Sequence, residues 1–224
     1  AMEGYTYGEQ PSDRGVVKLN TNENPYPPSP LIKSALKNFD SDVLRRYPDP
    51  SASRLREFVA SRFDVSADNV LVTNGGDEGL RLAVTTLVNP KGALGMVDPS
   101  YSLYPVLANI QDCRIESLRL EKDWALPKGF SEQINASGAQ LTCLVNPHAP
   151  SGVLLSVDVL REIANGLEGV LLIDEAYVDF VDPVLGHSSI PLVHEFDNVL
   201  VLRTLSKGYS LAGLRSGSLS ETPA

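Results

Sequence analysis

From Asn69 onward the chain alternates short apolar runs with stretches of helical character, and this rhythm constrains the fold more than any other feature. Residues 70–73, 93–97, 114–118, 141–145, 169–174 and 199–203 read as strands. Helical patterns run from the Asn74-Gly75-Gly76-Asp77 turn through Val88, from the Asp98-Pro99-Ser100-Tyr101 turn onward, and over residues 157–165. The strands are continuous apolar runs, as in Leu171-Leu172-Ile173, without the alternation of a half-exposed sheet. Such strands are buried on both faces, which predicts an α/β fold with three αβα layers and a mainly parallel sheet. At 224 residues the chain can bury the core that such a domain needs. Ahead of the alternating part lie two short helices, over residues 31–39 and 53–63. Residues 1–30, rich in Pro, Asn and Tyr and without helical periodicity, read as an extended arm.

The formal net charge of -9 disfavours a general role on nucleic acid or an anionic membrane, although it leaves room for a local basic pocket. Cys113 and Cys143 sit in apolar surroundings and read as reduced structural thiols. No apolar stretch approaches the roughly 20 residues of a membrane-spanning helix. No leader pattern opens the chain, so the expected location is the cytoplasm. His187 and His194 lack metal-ligand spacing, and no metal is expected.

Parallel sheets bind ligands beyond the carboxyl ends of their strands. Lys207 stands there, in Ser206-Lys207-Gly208-Tyr209-Ser210-Leu211-Ala212-Gly213-Leu214-Arg215. A loop lysine is ordinarily a solvated charge. Here the small residues Ser206, Gly208, Ser210, Ala212 and Gly213 let another group approach the backbone closely. A second cation at Arg215 favours a depressed amine pKa, which lets Lys207 condense with a carbonyl.

Asp174 ends the run Leu171-Leu172-Ile173 and precedes Glu175-Ala176-Tyr177. Apolar residues followed by Asp-Glu also fit a nucleotide hydrolase, but that chemistry needs a Gly-x-x-x-x-Gly-Lys-Ser/Thr phosphate loop, which the chain lacks. The better role for Asp174 is pairing with a cationic ring nitrogen. Asn74-Gly75-Gly76-Asp77 opens a helix after a strand, so the amides of Gly76 and Asp77 suit an anion, although such turns often use glycine for geometry alone. Tyr101 could stack on a flat ligand or simply fill the core.

Together these segments resemble fold-type I pyridoxal-phosphate (PLP) aminotransferases, and most closely the histidinol-phosphate aminotransferase family. The arm segments Tyr5-Thr6-Tyr7-Gly8-Glu9-Gln10-Pro11 and Lys18-Leu19-Asn20-Thr21-Asn22-Glu23-Asn24-Pro25-Tyr26 carry the likeness, with Arg46-Tyr47-Pro48-Asp49, the Asp-Glu-Ala-Tyr strand end and Thr204-Leu205-Ser206-Lys207. The resemblance implies that Lys207 carries the cofactor, that Asp174 partners its pyridinium nitrogen, and that Tyr177 bonds its phenolic oxygen; these three are the expected catalytic residues. It implies Tyr101 stacked on the ring, with the phosphate held by Gly76, Asp77, Ser206 and Arg215. Tyr47 would reach the phosphate of another subunit's cofactor, which implies a homodimer, and Tyr5 and Asn24 would help enclose substrate. The implied reaction transfers an amino group from histidinol phosphate to 2-oxoglutarate, giving imidazole acetol phosphate and glutamate. The partners are then a small amino donor and a 2-oxo acid.

Two departures stand out. The usual Asn-Pro-Thr-Gly turn is Ala149-Pro150-Ser151-Gly152 here, so the asparagine at the phenolic oxygen is replaced, with His148 or Asn146 as candidate substitutes. The resemblance also implies a C-terminal small domain, which is absent, and residues 218–224 do not follow the family's continuation. The expected organisation is an arm over 1–30, a PLP-binding large domain over 31–217 and an atypical tail over 218–224. The alternatives are a PLP-binding chain without turnover, or a related PLP enzyme such as an aromatic aminotransferase or a phosphothreonine decarboxylase.

Overall fold

The computed structural model describes residues 8–13 and 15–221. Its elements are α1 (Pro30–Lys37), α2 (Ser53–Phe63), β1 (Val70–Thr73), α3 (Gly76–Leu87), β2 (Ala93–Asp98), α4 (Leu103–Gln111), β3 (Arg114–Arg119), α5 (Phe130–Ser137), β4 (Ala139–Val145), α6 (Val157–Gly166), β5 (Val170–Asp174), β6 (Val199–Thr204) and β7 (Gly217–Glu221). The strands form one seven-stranded sheet in the order β1-β7-β6-β5-β4-β2-β3. Pairs from β6 to β3 are parallel, whereas β7 is antiparallel to both β6 and β1.

The apolar runs are continuous because each strand feeds two cores in alternation. Leu171 and Ile173 of β5 and Val199 and Val201 of β6 pack with Leu160, Ile163 and Ala164 of α6 and Ile134 of α5. Leu172 and Leu202 face the other way, toward Leu80 and Val84 of α3 and Tyr104 and Leu107 of α4. Each fully buried leucine contributes about 2 kcal/mol relative to an exposed one, so neither face can be given up. The three-layer αβα arrangement follows. A Ser156 cap, whose side chain accepts from the Val159 amide, starts α6.

Three details differ from the sequence reading. Helix α1 ends at Lys37, short of residue 39. Helix α5 was not expected from the sequence; it runs between Gly129 and Gly138, both in the left-handed region. Residues 218–221, expected to begin a tail, belong to β7, which lies between β1 and β6 with Leu219 paired to Leu71 and Leu202. The physical reason is that a strand with one apolar residue can still be fixed by backbone bonds to neighbours on both sides.

Because β1 and β6 are each antiparallel to β7, they run in the same direction as each other and as β5, β4 and β2. The carboxyl ends of β1, β2, β4, β5 and β6 therefore meet at one end of the sheet. That end carries the Asn74–Asp77 turn, Tyr101, Ala149, Asp174 and Lys207. Among the described residues no helix is long and apolar enough to cross a membrane.

Candidate active site

A cavity of about 210 Å³ opens at this end, lined by Thr21, Gly76, Asp77, Tyr101, Ala149, Asp174, Tyr177, Ser206, Lys207 and Arg215 among others. Most residues expected from the sequence to act together thus share one space.

Asp174 leaves β5 4% exposed. Its carboxylate accepts from the Ala176 amide at 3.1 Å and from the Tyr104 hydroxyl at 3.1 Å. Among the described residues no cation stands within ion-pair distance of it. Burial pushes its pKa up to about 6, and the two hydrogen bonds only partly offset that. A buried carboxylate that faces a cavity with no cation beside it can either hold a proton or pair with a cationic ligand. A flat ring with a basic nitrogen is such a ligand.

Across the same cavity stands Lys207. Burial lowers its amine pKa, opposed mainly by Asp77, Glu23 and Asp174 and assisted by Arg215. Its Nζ donates to the Thr21 carbonyl at 2.9 Å and lies 5.7 Å from the Tyr177 ring centroid. A lowered amine pKa enlarges the share of the neutral form, which is the nucleophile and the base.

The turn expected from the sequence to receive an anion lines the same cavity through Gly76 and Asp77. Helix α3 starts at Gly76, and Gly75 before it has φ 83. A side chain at Gly75 would be strained there and would run into the Arg215 guanidinium. Gly217 at the start of β7 is equally constrained: a Cβ would come 2.9 Å from the Gly75 carbonyl carbon and 3.0 Å from the Gly76 nitrogen. Gly76 and Asp77 in the first turn of α3, whose amides have no intrahelical acceptors, line the cavity together with Arg215 and Ser206. Thr204 fixes the Ser206 hydroxyl, its Oγ1 lying 2.8 Å from Ser206 Oγ and accepting from the Ser206 amide at 3.1 Å. The Arg215 guanidinium is 3.6 Å from Asp77, and the Tyr101 hydroxyl donates to Asp77 Oδ1 at 3.1 Å. Tyr101 meets Tyr104 edge-on with ring centroids 5.7 Å apart.

The arm closes the mouth. Asn22 donates to the Tyr177 hydroxyl at 2.9 Å, and Asn24 donates to the Lys207 carbonyl at 3.0 Å. Asn24 thus orders the lysine loop through its backbone. Tyr47 is fully exposed and does not line its own chain's cavity. Tyr5 lies outside the described residues.

His148 is a correction. Its Nε2 is 2.9 Å from the Pro99 carbonyl, an acceptor only, so this nitrogen carries the proton. Its Nδ1 then accepts from the Ser151 hydroxyl at 2.7 Å. Burial lowers its pKa, with the Pro99 bond opposing. Both nitrogens are committed, and the ring does not line the cavity. Asn146 is no substitute either, since its amide closes a loop with both backbone groups of Leu155, at 3.1 and 2.8 Å. Ala149 itself lines the cavity and offers only a methyl group there.

Tyr104 is the functional residue that the sequence concealed. It is fully buried within an apolar helix, and its partner is seventy positions away. Among the described residues no group of His, Cys, Asp and Glu could hold a metal ion.

Comparison with known proteins agrees with this geometry. Residues 14–223 match the model of the family described as aminotransferase class I and II. A histidinol-phosphate aminotransferase of Clostridium botulinum (strain Kyoto / Type A2) is 42% identical over 217 residues, covering 96% of this chain and 59% of that protein. Histidinol-phosphate aminotransferase 1 of Trichormus variabilis is 44% identical over 219 residues, covering 97% of this chain and 60% of the relative. The chain therefore spans about three-fifths of the length of these relatives. Among solved structures, histidinol-phosphate aminotransferase from Sinorhizobium meliloti in complex with pyridoxal-5'-phosphate superposes with a TM-score of 0.84 at 25% identity, over 91% of this chain and 55% of that one. With a family model matching nearly its whole length, this chain belongs to the class I and II aminotransferases.

Proposed function

We propose that the cavity binds pyridoxal phosphate and that Lys207 is the residue that holds it, in a protein that transfers an amino group from histidinol phosphate to 2-oxoglutarate. One observation carries the reading: a buried carboxylate without a cation, Asp174, shares a cavity with an amine whose burial favours the neutral form. The cradle beyond them fits a phosphate, with Gly76 and Asp77 amides, the Ser206 hydroxyl and Arg215 as its donors. The choice of amino donor rests on the names of the relatives above, and that of 2-oxoglutarate on the family resemblance of the sequence.

Pyridoxal phosphate, when bound, supplies an aldehyde for the donor amine and a pyridine ring that stores the electron pair released at the donor's α-carbon. Asp174 is placed to hold a proton on the ring nitrogen, and Tyr104 and the Ala176 amide hold Asp174. Lys207 Nζ would be the base that takes the proton from the donor's α-carbon and returns it to the carbon on the other side of the intervening nitrogen. The Tyr177 hydroxyl is the donor for the ring's phenolic oxygen, and the Tyr101 ring is the stacking surface. Thr21 and Asn24 tie the arm to Lys207 beside the cavity.

A second copy of the chain fits the exposed apolar surface of the N-terminal region, where Leu19, Tyr26, Leu31, Leu44 and Tyr47 stand in solvent. Tyr47 would then serve the partner's cofactor. The unpaired cysteines fit a cytoplasmic location. Ala149 favours a second reading, in which the chain binds the cofactor without turning over.

Titration with pyridoxal phosphate, borohydride reduction and peptide mass mapping test the first reading. The expected result is a new visible absorbance and a reduced adduct on Lys207. An adduct on another lysine, or none, would sink it. A single half-reaction with an amino donor separates turnover from mere binding.

A further inference from the structure

Just past the end of β5 the chain carries a second buried carboxylate, one that does not line the cavity. Glu175, whose side chain is 0% exposed, meets Arg203 of β6 through Nε at 2.8 Å and Nη2 at 2.7 Å. Its other oxygen accepts from the Ser189 amide at 2.6 Å. The Arg203 Nη2 also donates to the Ser188 hydroxyl at 3.0 Å, and the guanidinium lies 4.5 Å from the Phe63 ring centroid. Behind this pair, Gly208 packs so tightly on Asp179 that a side chain there would collide with it.

The place of the pair in the chain matters. Glu175 directly follows Asp174, where β5 ends, and Arg203 lies four residues before Lys207, near the end of β6. The last parallel register pair joins Asp174 to Leu202, and the Glu175 amide donates to the Leu202 carbonyl at 2.9 Å. Beyond these contacts β5 gives way to a loop while β6 stays paired to β7 as far as Thr204, so the β5–β6 ladder no longer fixes their separation.

We propose that the Glu175–Arg203 ion pair is a positioning device for the reaction assigned above, clamping the exit of β5 to the exit of β6 so that Asp174 and Lys207 keep a fixed relation. The inference rests on that assignment for its purpose, though not for its geometry. Arg203 Nε donates to Glu175 Oε2 while Nη2 lies against the same oxygen and donates to Ser188, so the planar guanidinium fixes orientation as well as distance, whereas an ammonium fixes only distance.

Arg203→Lys therefore separates geometry from charge, because it conserves the charge. Phe63→Leu is the control: it removes packing beneath the guanidinium and leaves the pair intact. The readout is the pH profile of Lys207 acetylation by acetic anhydride, measured by peptide mass spectrometry on the chain without cofactor. Asp77, Glu23, Asp174 and Arg215 set the amine's field, and none is altered in either variant. Thermal melts run alongside report the fold.

The expected result is a profile midpoint about one pH unit higher in Arg203→Lys, as the loosened loop rehydrates the amine, with Phe63→Leu unchanged. Superimposed profiles for wild type and Arg203→Lys would overturn the proposal, as would equal displacement in Phe63→Leu at equal loss of melting temperature. If Arg203→Lys melts cooperatively too low to assay, Glu175→Gln with the same readout decides on the same terms. Failure of pyridoxal phosphate to react at Lys207 in the wild type would refute the cofactor assignment alone, since the profile is read without cofactor.

Discussion

Asp174 and Glu175 are neighbours in sequence, both nearly inaccessible to solvent, and they meet opposite fates. Glu175 has its counter-charge in the chain, with Arg203 on two nitrogens and Ser189 on the remaining oxygen. Asp174 has two neutral donors and a cavity. A chain that buries a carboxylate ordinarily pairs it, because an isolated buried charge is costly. Glu175 follows that rule for the sake of structure. Asp174 departs from it, and such departures are where ligand chemistry is found.

The most severe break in that comparison removes the amine opposite Asp174. Lys207→Ala is expected to abolish the visible absorbance formed with pyridoxal phosphate while leaving the melting transition in place. Retained absorbance would show that a different lysine carries the cofactor. Next in size is Glu175→Gln, which leaves Arg203 with a neutral partner in a mostly buried setting. Breaking a buried pair costs roughly 3–5 kcal/mol, and chemical denaturation of this variant should show a loss on that scale. A loss below about 1 kcal/mol would put the pair among surface-like ion pairs.

Asp174→Asn should act in the opposite direction. The Asp174 pKa stands at about 6 in the fold against an ordinary 3.8, so the folded chain holds this proton more tightly than the unfolded one. Its contribution to stability is therefore fully present below pH 3.8 and is lost as pH rises through about 6. Asparagine removes that loss but forfeits part of the hydrogen bonding, leaving a gain of about 2 kcal/mol at pH 7.5, or roughly 4–8 °C in melting temperature. Near pH 4 the gain disappears. Saturating pyridoxal phosphate should reverse the order at pH 7.5, since only the carboxylate pairs with a protonated ring nitrogen. A variant that is no more stable than wild type at pH 7.5 without cofactor would show that Asp174 is not the strained member of the two.

The same contrast explains what could be read from the sequence. The sheet was legible because strands buried on both faces must be apolar throughout, as Leu171-Leu172-Ile173 is. The glycine turn and the lysine loop were legible because they sit where such strands end. Strand β7 was not, since Leu219 is its one large apolar residue and its place comes from backbone bonds to β1 and β6. Helix α5 offers only Phe130 and Ile134 as buried anchors, too few to show a period. Tyr104 reads as core, and in volume it is core; only its hydroxyl serves the site. The grip of the arm was hidden for a related reason, because Lys207 bonds a backbone carbonyl of Thr21, which no side-chain pattern reports.

The smallest expected effect concerns Ala149, where the cavity wall offers a methyl group in place of a hydrogen-bond donor. His148 and Asn146 flank it but are committed to Pro99, Ser151 and Leu155, so neither can turn inward without leaving a buried group unpaired. If the ring's phenolic oxygen lies toward this wall, Ala149→Asn adds one donor to an anionic acceptor and breaks nothing. One net hydrogen bond is worth about 1 kcal/mol, which is roughly a fivefold decrease in the dissociation constant for pyridoxal phosphate. Equilibrium titration of the visible band resolves that difference. An unchanged constant would mean that Tyr177 already satisfies the oxygen, and that the alanine costs this chain nothing in cofactor affinity.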